Sequence, residues 1–133
     1  MSQLTLRLII TLSVISFLQL TQCGKSRLEK YNADFEGTWR TDTFTLVSSG
    51  EQVCCWVTID GKDSFFGFMC SAQCPTPCNC THTLSGRAKI NKKRNQIYIG
   101  NNINNYLKLT TEPFIAPDGR WAMVLSDLTY YKQ

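Results

Sequence analysis

Over most of the chain, apolar and polar residues alternate one by one, which is the period expected for half-buried β-strands. In the run 53–59, Cys55 and Val57 fall on one face, whereas Cys54 and Trp56 fall on the other. Comparable short runs, rich in β-branched and aromatic residues, recur at near-regular spacing over 38–47, 64–71, 84–90, 97–99, 106–111, 121–125 and 128–132. The pattern therefore predicts about eight strands, with no helical stretch between them.

The sequences between these runs are typical of tight turns. Asp60-Gly61 separates the second run from the third and is a strong hairpin signal, and the segment 91–95 reads as a polar turn. Parallel strands need crossover helices, for which the pattern leaves no room. We therefore predict an all-β fold, an antiparallel up-and-down meander stapled by disulfides. It can be built as a small barrel or as a two-sheet sandwich, and the sequence leaves both alternatives open.

The N-terminal segment breaks the alternating pattern. Arg7 precedes an apolar run over 8–20, and the chain turns polar at Cys23. The run is about a dozen residues long, too short for a bilayer, which requires ~20, and its layout is that of an export signal. The predicted organisation is a signal peptide over 1–22, lipid attachment and a polar tether over 23–35, and a single β domain over 36–133.

The segment Leu20-Thr21-Gln22-Cys23 resembles the lipobox of bacterial lipoproteins, in which a leucine stands three residues before the modified cysteine. Together with the Gly-Lys-Ser that follows, the segment is similar to lipoproteins of the Bacteroidota group. The resemblance implies cleavage before Cys23, acylation of that residue and anchoring to a membrane of the bacterial cell envelope. The alternative is cleavage after Cys23 by the general signal peptidase, which would release a secreted protein.

The cysteine count also bears on the compartment. The chain has seven cysteines, and acylation or removal of Cys23 leaves an even number, which favours disulfides in an exported chain. The remaining six are Cys54, Cys55, Cys70, Cys74, Cys78 and Cys80. Because Cys54 and Cys55 point to opposite faces, we expect different partners for them and at least one bond to the segment 70–80. The connectivity stays open. A metal site on these thiolates is the alternative, but the spacings lack the paired Cys-x2-Cys of zinc sites, so we predict no metal and no cofactor.

Gly37-Thr38-Trp39 opens the first predicted strand. A Gly-x-Trp at this position resembles the lipocalin and avidin superfamily, in whose barrels the tryptophan closes the bottom of the cavity. A second Gly-x-Trp ends at Trp121. The resemblance implies a carrier of a small apolar ligand, with Trp39 and Trp121 as candidate ligand contacts. We favour the competing interpretation, in which Trp39 is a core residue at the start of a strand.

The charged residues narrow the range of partners. The formal net charge is +4 at pH 7, which makes no case for nucleic acid. One predicted turn carries a basic run that could meet an anionic surface, such as lipopolysaccharide or an acidic glycan, or could simply keep the turn solvated. The run comprises Arg87, Lys89, Lys92, Lys93 and Arg94.

The sequence contains few residues in patterns that are typical of catalytic sites. His82, the single histidine, shares a strand face with Cys80, and the chain has no nucleophile elbow, zinc-protease or phosphate-loop motif. We therefore expect a lipid-anchored cell-envelope protein, not an enzyme, whose domain binds or scaffolds a protein, glycan or small apolar ligand. The alternatives are a lipocalin-like carrier and, with least support, an envelope enzyme.

Overall fold

The computed structural model describes residues 32–133, and each structural statement below concerns that part of the chain. The predicted signal peptide and Cys23 lie outside the described residues. A short 3-10 helix, Ala33–Phe35, precedes ten strands. The strands are β1 (Gly37–Thr41), β2 (Phe44–Thr45), β3 (Gln52–Ile59), β4 (Ser64–Ser71), β5 (His82–Gly86), β6 (Ala88–Asn91), β7 (Gln96–Ile99), β8 (Tyr106–Ile115), β9 (Trp121–Leu125) and β10 (Leu128–Lys132).

The strands form one antiparallel meander that nearly closes on itself. Strand β1 pairs with both β3 and β10, so the first and last strands of the meander are neighbours. Strands β5 and β6 are separated only by Arg87; β5 pairs with β4 and β6 pairs with β7. They are therefore two halves of one bent strand. With the two-residue β2 set aside and β5 and β6 counted as one strand, the nearly closed barrel has eight strands, in agreement with the predicted number of about eight.

The bend between β5 and β6 requires a glycine. Gly86 has φ of 126°, and a Cβ there would lie 2.8 Å from the Cα of Gly100. The backbone N–H of Gly100 donates to the carbonyl of Arg87 at 3.1 Å. Any side chain at Gly86 would both strain the backbone and push the end of β5 away from the end of β7.

The barrel interior is occupied by side chains from every long strand. The inward residues of β3, Cys55, Val57 and Ile59, belong to the main hydrophobic cluster, as the alternation predicts. Its other buried members are Phe35, Trp39, Phe66, Ala88, Ile90, Ile97, Ile99, Leu107, Leu109, Met123, Leu125 and Tyr130. Because Phe35 packs in this core, the folded domain includes residues just before 36 that the sequence pattern assigns to the tether.

A bulge in β4 changes the face of one cysteine. The register between β3 and β4 shifts between Cys54 and Trp56, and Met69 takes φ of 48° in the extra segment. Simple alternation along β4 would place Cys70 and Gly67 on opposite faces of the sheet. In the structure the two share a face, and a Cβ at Gly67 would lie 2.5 Å from the Cys70 Sγ. The inserted residue reverses the alternation beyond it. No helix in the described residues is long and apolar enough to cross a membrane.

Candidate binding site

Two rows of side chains cross the outer face of β6, β7 and β8. Ile90, Ile97 and their alternate neighbours pack in the core, so the residues between them face outward by the period of two. The antiparallel register places Tyr98 between Lys89 and Tyr106. In the adjacent row, Gln96 lies between Asn91 and Lys108. The three strands therefore present aromatic, amide and basic groups side by side.

These rows form the floor of a surface groove of about 330 Å³. The loop 100–105, which joins β7 to β8, closes one side, and the turn 92–95 lies at the other. We call this concavity the β6–β8 groove. It is lined by Asn91, Arg94, Gln96, Tyr98, Ile103, Asn104 and Tyr106.

The two tyrosines play different parts in the groove. Tyr98 is only 6% exposed, and its hydroxyl donates to the Gln96 Oε1 at 2.6 Å. Its ring centroid lies 6.0 Å from that of Tyr106, with the planes inclined at 49°. Tyr106 is 49% exposed and Ile103 70% exposed. Tyr98 thus forms a fixed back wall, whereas Tyr106 and Ile103 offer apolar surface to a ligand.

The turn beside the groove sets the position of Arg94. The buried Asn91 accepts a hydrogen bond from the Arg94 backbone N–H through its Oδ1, at 3.2 Å. Asn95, with φ of 52°, completes the turn, and its carbonyl accepts from the Leu109 N–H at 2.7 Å. Asparagine suits both places, because its short amide bonds nearby backbone and tolerates the left-handed region. The backbone of the turn is therefore fixed, and the Arg94 side chain extends from it at the rim.

Positive charge is concentrated on this face. Residues 87–108 include six basic residues and no acidic one, whereas the rest of the chain has eight basic and ten acidic residues. The ion pairs among the described residues are those of Arg120 with Asp42 and Asp118. In that part of the chain no basic residue of 87–108 has a carboxylate partner, so this charge remains available to an anionic ligand.

A second, smaller groove lies beside Arg40 and Arg120, and carboxylates compensate the charge of Arg120 there. It measures about 240 Å³ and includes Thr41, Asp42 and Tyr131 among its lining residues. The Arg120 guanidinium stacks on the Tyr131 ring at 3.5 Å, and its Nε donates to Asp118 at 2.8 Å. Hydrogen bonds from the Arg120 backbone and side chain lower the pKa of Asp118. These contacts within the domain occupy the Arg120 guanidinium, so less of its charge is available to a ligand.

The cysteines pair differently from the sequence expectation. The disulfides are Cys70–Cys80 and Cys74–Cys78, and Cys54 and Cys55 are unpaired and buried. Cys54 does lie opposite Cys70 in the β3–β4 register. However, β5 runs along the other side of β4, and Cys80, just before it, takes Cys70 as its partner. The bonds therefore close the β4–β5 loop on itself, and the expected bond from β3 to this segment is absent.

The two unpaired thiols lie on opposite sides of the sheet. Cys55 points into the barrel, where its thiol is hydrogen-bonded to the Tyr130 hydroxyl. Burial raises the pKa of Cys55, with the hydrogen bonds from the Met69 backbone and Tyr130 acting in the opposite direction. Cys54 lies outside, packed with Trp56 and Cys70. The Arg40 guanidinium covers this outer cluster, 5.1 Å from the Trp56 ring centroid.

Trp39 lies at one end of the barrel interior and is fully buried. Its Nε1 donates to the Phe35 carbonyl at 2.9 Å, so the 3-10 helix and the first strand are joined there. The Lys132 Nζ lies 5.3 Å from the Trp39 ring and 5.9 Å from that of Trp121. Trp121 is 39% exposed. The Lys132 ammonium group therefore lies near both candidate ligand contacts, of which Trp39 is a member of the core.

The remaining sequence candidates are dispersed. His82 is exposed at the start of β5, and its suggested partner Cys80 is bonded to Cys70. The described residues contain no group of three or more His, Cys, Asp or Glu side chains placed to hold a metal ion. Of the basic run, Arg94 lines the groove together with Tyr106, Asn104, Gln96 and Ile103, none of which the sequence singled out as binding residues. One feature of the sequence could have indicated these residues. The segment 87–108 contains no acidic residue and includes two tyrosines that face outward.

No known protein family, curated protein or solved structure matches the chain.

Proposed function

We propose that the chain is an exported, lipid-anchored protein of a bacterial cell envelope whose β domain binds an anionic partner without catalysis. The partner is held on the outer face of β6–β8. The observation that carries this proposal is the uncompensated positive charge around the β6–β8 groove. Basic residues without carboxylate partners raise the local concentration of anions and speed their association.

The packing of the barrel supports an outer rather than an inner binding surface. A carrier of apolar ligands needs an internal cavity of several hundred Å³ lined by accessible apolar groups. Here the interior positions are taken by large side chains such as Trp39, Met123 and Tyr130, each nearly or fully buried. The β6–β8 groove, by contrast, is open to solvent and lined by groups of mixed chemistry.

The sequence around Cys23 supports the anchoring part of the proposal. The cysteine stands three residues after the last residue of the apolar run of the export signal. Acyl chains contribute ~0.8 kcal/mol per buried methylene, so several chains on one cysteine give stable attachment. The polar tether predicted within residues 23–35 then separates the folded domain from the membrane surface.

Two measurements test the two parts of this proposal. For anchoring, wild-type protein is expected in the membrane fraction with its N-terminus at Cys23, and Cys23→Ser is expected in the soluble fraction. A soluble wild type or an N-terminus at Gly24 contradicts this part. For binding, the mature protein is applied to an immobilised polyanion, and Lys92→Glu is compared with Lys62→Glu.

The comparison is matched because both lysines are exposed and both substitutions change the charge by the same amount. We expect Lys92→Glu to weaken retention clearly and Lys62→Glu to leave it nearly unchanged. Equal effects of the two substitutions mean that net charge alone controls retention, and failure of the wild type to bind any polyanion contradicts the binding part. A saturable response of tryptophan fluorescence to a fatty acid would favour the carrier instead.

A further inference from the structure

We infer that the β6–β8 groove is a subsite for a carboxylate-bearing sugar of an acidic polysaccharide. The inference rests on the proposed function and adds the class of ligand. The sugar ring packs on Tyr106 and Ile103, its hydroxyls bond to side-chain amides, and its carboxylate pairs with Arg94.

The apolar part of the groove suits a sugar ring. Tyr106 and Ile103 are the most exposed large apolar side chains there, and Tyr106 is braced from behind by Tyr98. The C–H groups on one face of a pyranose are weakly positive and pack on the negative face of an aromatic ring. An inorganic anion or a lipid headgroup phosphate has no such apolar face and would leave this surface unused.

The amide side chains distinguish hydroxyls from simple anions. Asn91, Gln96 and Asn104 line the groove. The Asn91 and Gln96 oxygens already accept one hydrogen bond each, from Arg94 and Tyr98, but each amide keeps its N–H donors and one further lone pair. A sugar hydroxyl can donate and accept, so it can satisfy both ends of an amide. A sulfate, a carboxylate or a lipid phosphodiester at neutral pH only accepts, so a site for such an anion alone would be built of donors. The mixture of amides with a single guanidinium therefore indicates a ligand rich in hydroxyls with few charges per unit.

The charges around the groove indicate a polymer. Within residues 32–133, Arg94 is the one cation that lines the groove. A guanidinium binds a carboxylate through two parallel hydrogen bonds. Lys89 and Lys108 continue the two rows beside it, and Lys92 and Lys93 extend the charge along the turn. A single acidic sugar would meet Arg94 alone, whereas a chain of them would also contact the flanking lysines.

The test uses the mature protein and three soluble probes. Oligogalacturonate supplies sugar rings with carboxylates, its methyl ester supplies the same rings without charge, and polyglutamate supplies carboxylates without sugar rings. Binding is measured by calorimetry for the wild type, Tyr106→Ala and Arg94→Gln. Trp121→Ala is the matched control for Tyr106→Ala, because it removes a partly exposed aromatic side chain outside the groove.

We expect oligogalacturonate to bind more tightly than either other probe. Tyr106→Ala should weaken that binding about three- to tenfold, the range of an aromatic contact, and leave polyglutamate binding unchanged. Arg94→Gln should weaken oligogalacturonate binding and leave the methyl ester unaffected. Trp121→Ala should change neither the binding of oligogalacturonate nor that of its methyl ester. If Tyr106→Ala fails to fold, Ile103→Ala at the exposed rim serves in its place with the same expectation.

Each result that differs from these expectations contradicts a specific part of the inference or of the proposed function. Equal binding of polyglutamate and oligogalacturonate, both insensitive to Tyr106→Ala, overturns the sugar subsite while the anionic partner of the proposed function stands. Equal binding of the methyl ester overturns the role of Arg94. Binding to phosphatidylglycerol vesicles but not to oligogalacturonate assigns the face to a lipid surface and overturns the inference. Failure of all polyanions contradicts the proposed function itself.

Discussion

At the scale of single residues, Trp39 combines two contributions to stability at one end of the barrel. It is fully buried, and its indole N–H satisfies the Phe35 carbonyl. Trp39→Ala should lower the free energy of unfolding by about 3–5 kcal/mol, because it leaves a large cavity and an unpaired carbonyl. Urea unfolding measures this change. Trp121→Ala, at a partly exposed site, should cost much less, and equal losses in the two variants would contradict the assignment of Trp39 to the core.

The unpaired cysteines should be inert in the folded protein. Cys54 and Cys55 are both buried, and burial raises the pKa of Cys55, so neither offers an accessible thiolate. Alkylation of the native domain 32–133 should therefore label no cysteine, whereas alkylation after unfolding without reductant should label these two. Peptide mapping identifies the labelled positions. Rapid labelling of Cys54 in the native domain, or a lack of labelling after unfolding, would contradict this arrangement.

The contact between Cys55 and Tyr130 should make the domain sensitive to alkaline pH. Burial raises the pKa of Tyr130 and of Cys55 above the ordinary values of 10.0 and 9.0. Both groups are neutral in the folded state, so their stabilising effect is present below those ordinary values. This stabilising effect is lost as pH rises above the ordinary pKa values, because the two groups lose their protons in the unfolded chain at a lower pH than in the folded domain.

The free energy of unfolding should accordingly fall as pH rises from about 9 upward. Tyr130→Phe, which keeps the buried ring, should make this fall shallower, since one of the two groups no longer titrates. Urea unfolding at a series of pH values measures the slope. An unchanged slope in Tyr130→Phe would mean that other groups cause the alkaline loss.

At the scale of elements, β4 shows where alternation stops being a reliable guide. The period of two places Cys54 outside and Cys55 inside correctly, because β3 is regular on both sides of the bulge. It fails at Cys70, since Met69 adds a residue to β4 at positive φ. Bulges of this kind are commonly marked by glycine, and a methionine gives no such signal. The inserted residue also sets Cys70 opposite Cys54 in the β3–β4 register, yet no bond forms between them, because Cys70 is bonded to Cys80 just before β5. The expected bridge from β3 was therefore wrong.

The two disulfides should differ in their effect on stability. Cys70–Cys80 closes a loop with a sequence separation of 10, whereas Cys74–Cys78 spans only 4. Loop-closure entropy grows with the length of the loop, and the first bond also lies against the buried Trp56 cluster. The double variant Cys70→Ser/Cys80→Ser should lose about 2–3 kcal/mol of unfolding free energy. Cys74→Ser/Cys78→Ser should lose less, and the reverse order in urea unfolding would contradict the role given to the longer loop.

At the scale of the whole molecule, the sequence predicts the meander but not its closure. Hairpins between neighbouring strands follow from local turn signals such as Asp60-Gly61. The pairing of β1 with β10 joins residues at opposite ends of the domain, and nothing local to either strand specifies it. The β6–β8 groove is hidden for the same reason, since Asn91, Gln96 and Lys108 become neighbours only when three strands are aligned. The basic run was visible, but its aromatic and amide neighbours were not.

The uneven charge of the molecule leads to a prediction about salt. The net charge of +4 is small, yet the acid-free segment 87–108 makes one face strongly basic while the rest of the chain is slightly acidic. Retention on a polyanion should therefore weaken steeply as salt rises, since exposed charges are screened within ~10 Å at 0.1 M. Elution from an immobilised polyanion over a salt gradient measures this. Lys92→Glu/Lys93→Glu should elute much earlier than the wild type. Lys62 lies outside this segment, so Lys62→Glu should elute close to the wild type. A salt-independent interaction, or equal shifts for both variants, would mean that the partner does not recognise this face through its charge.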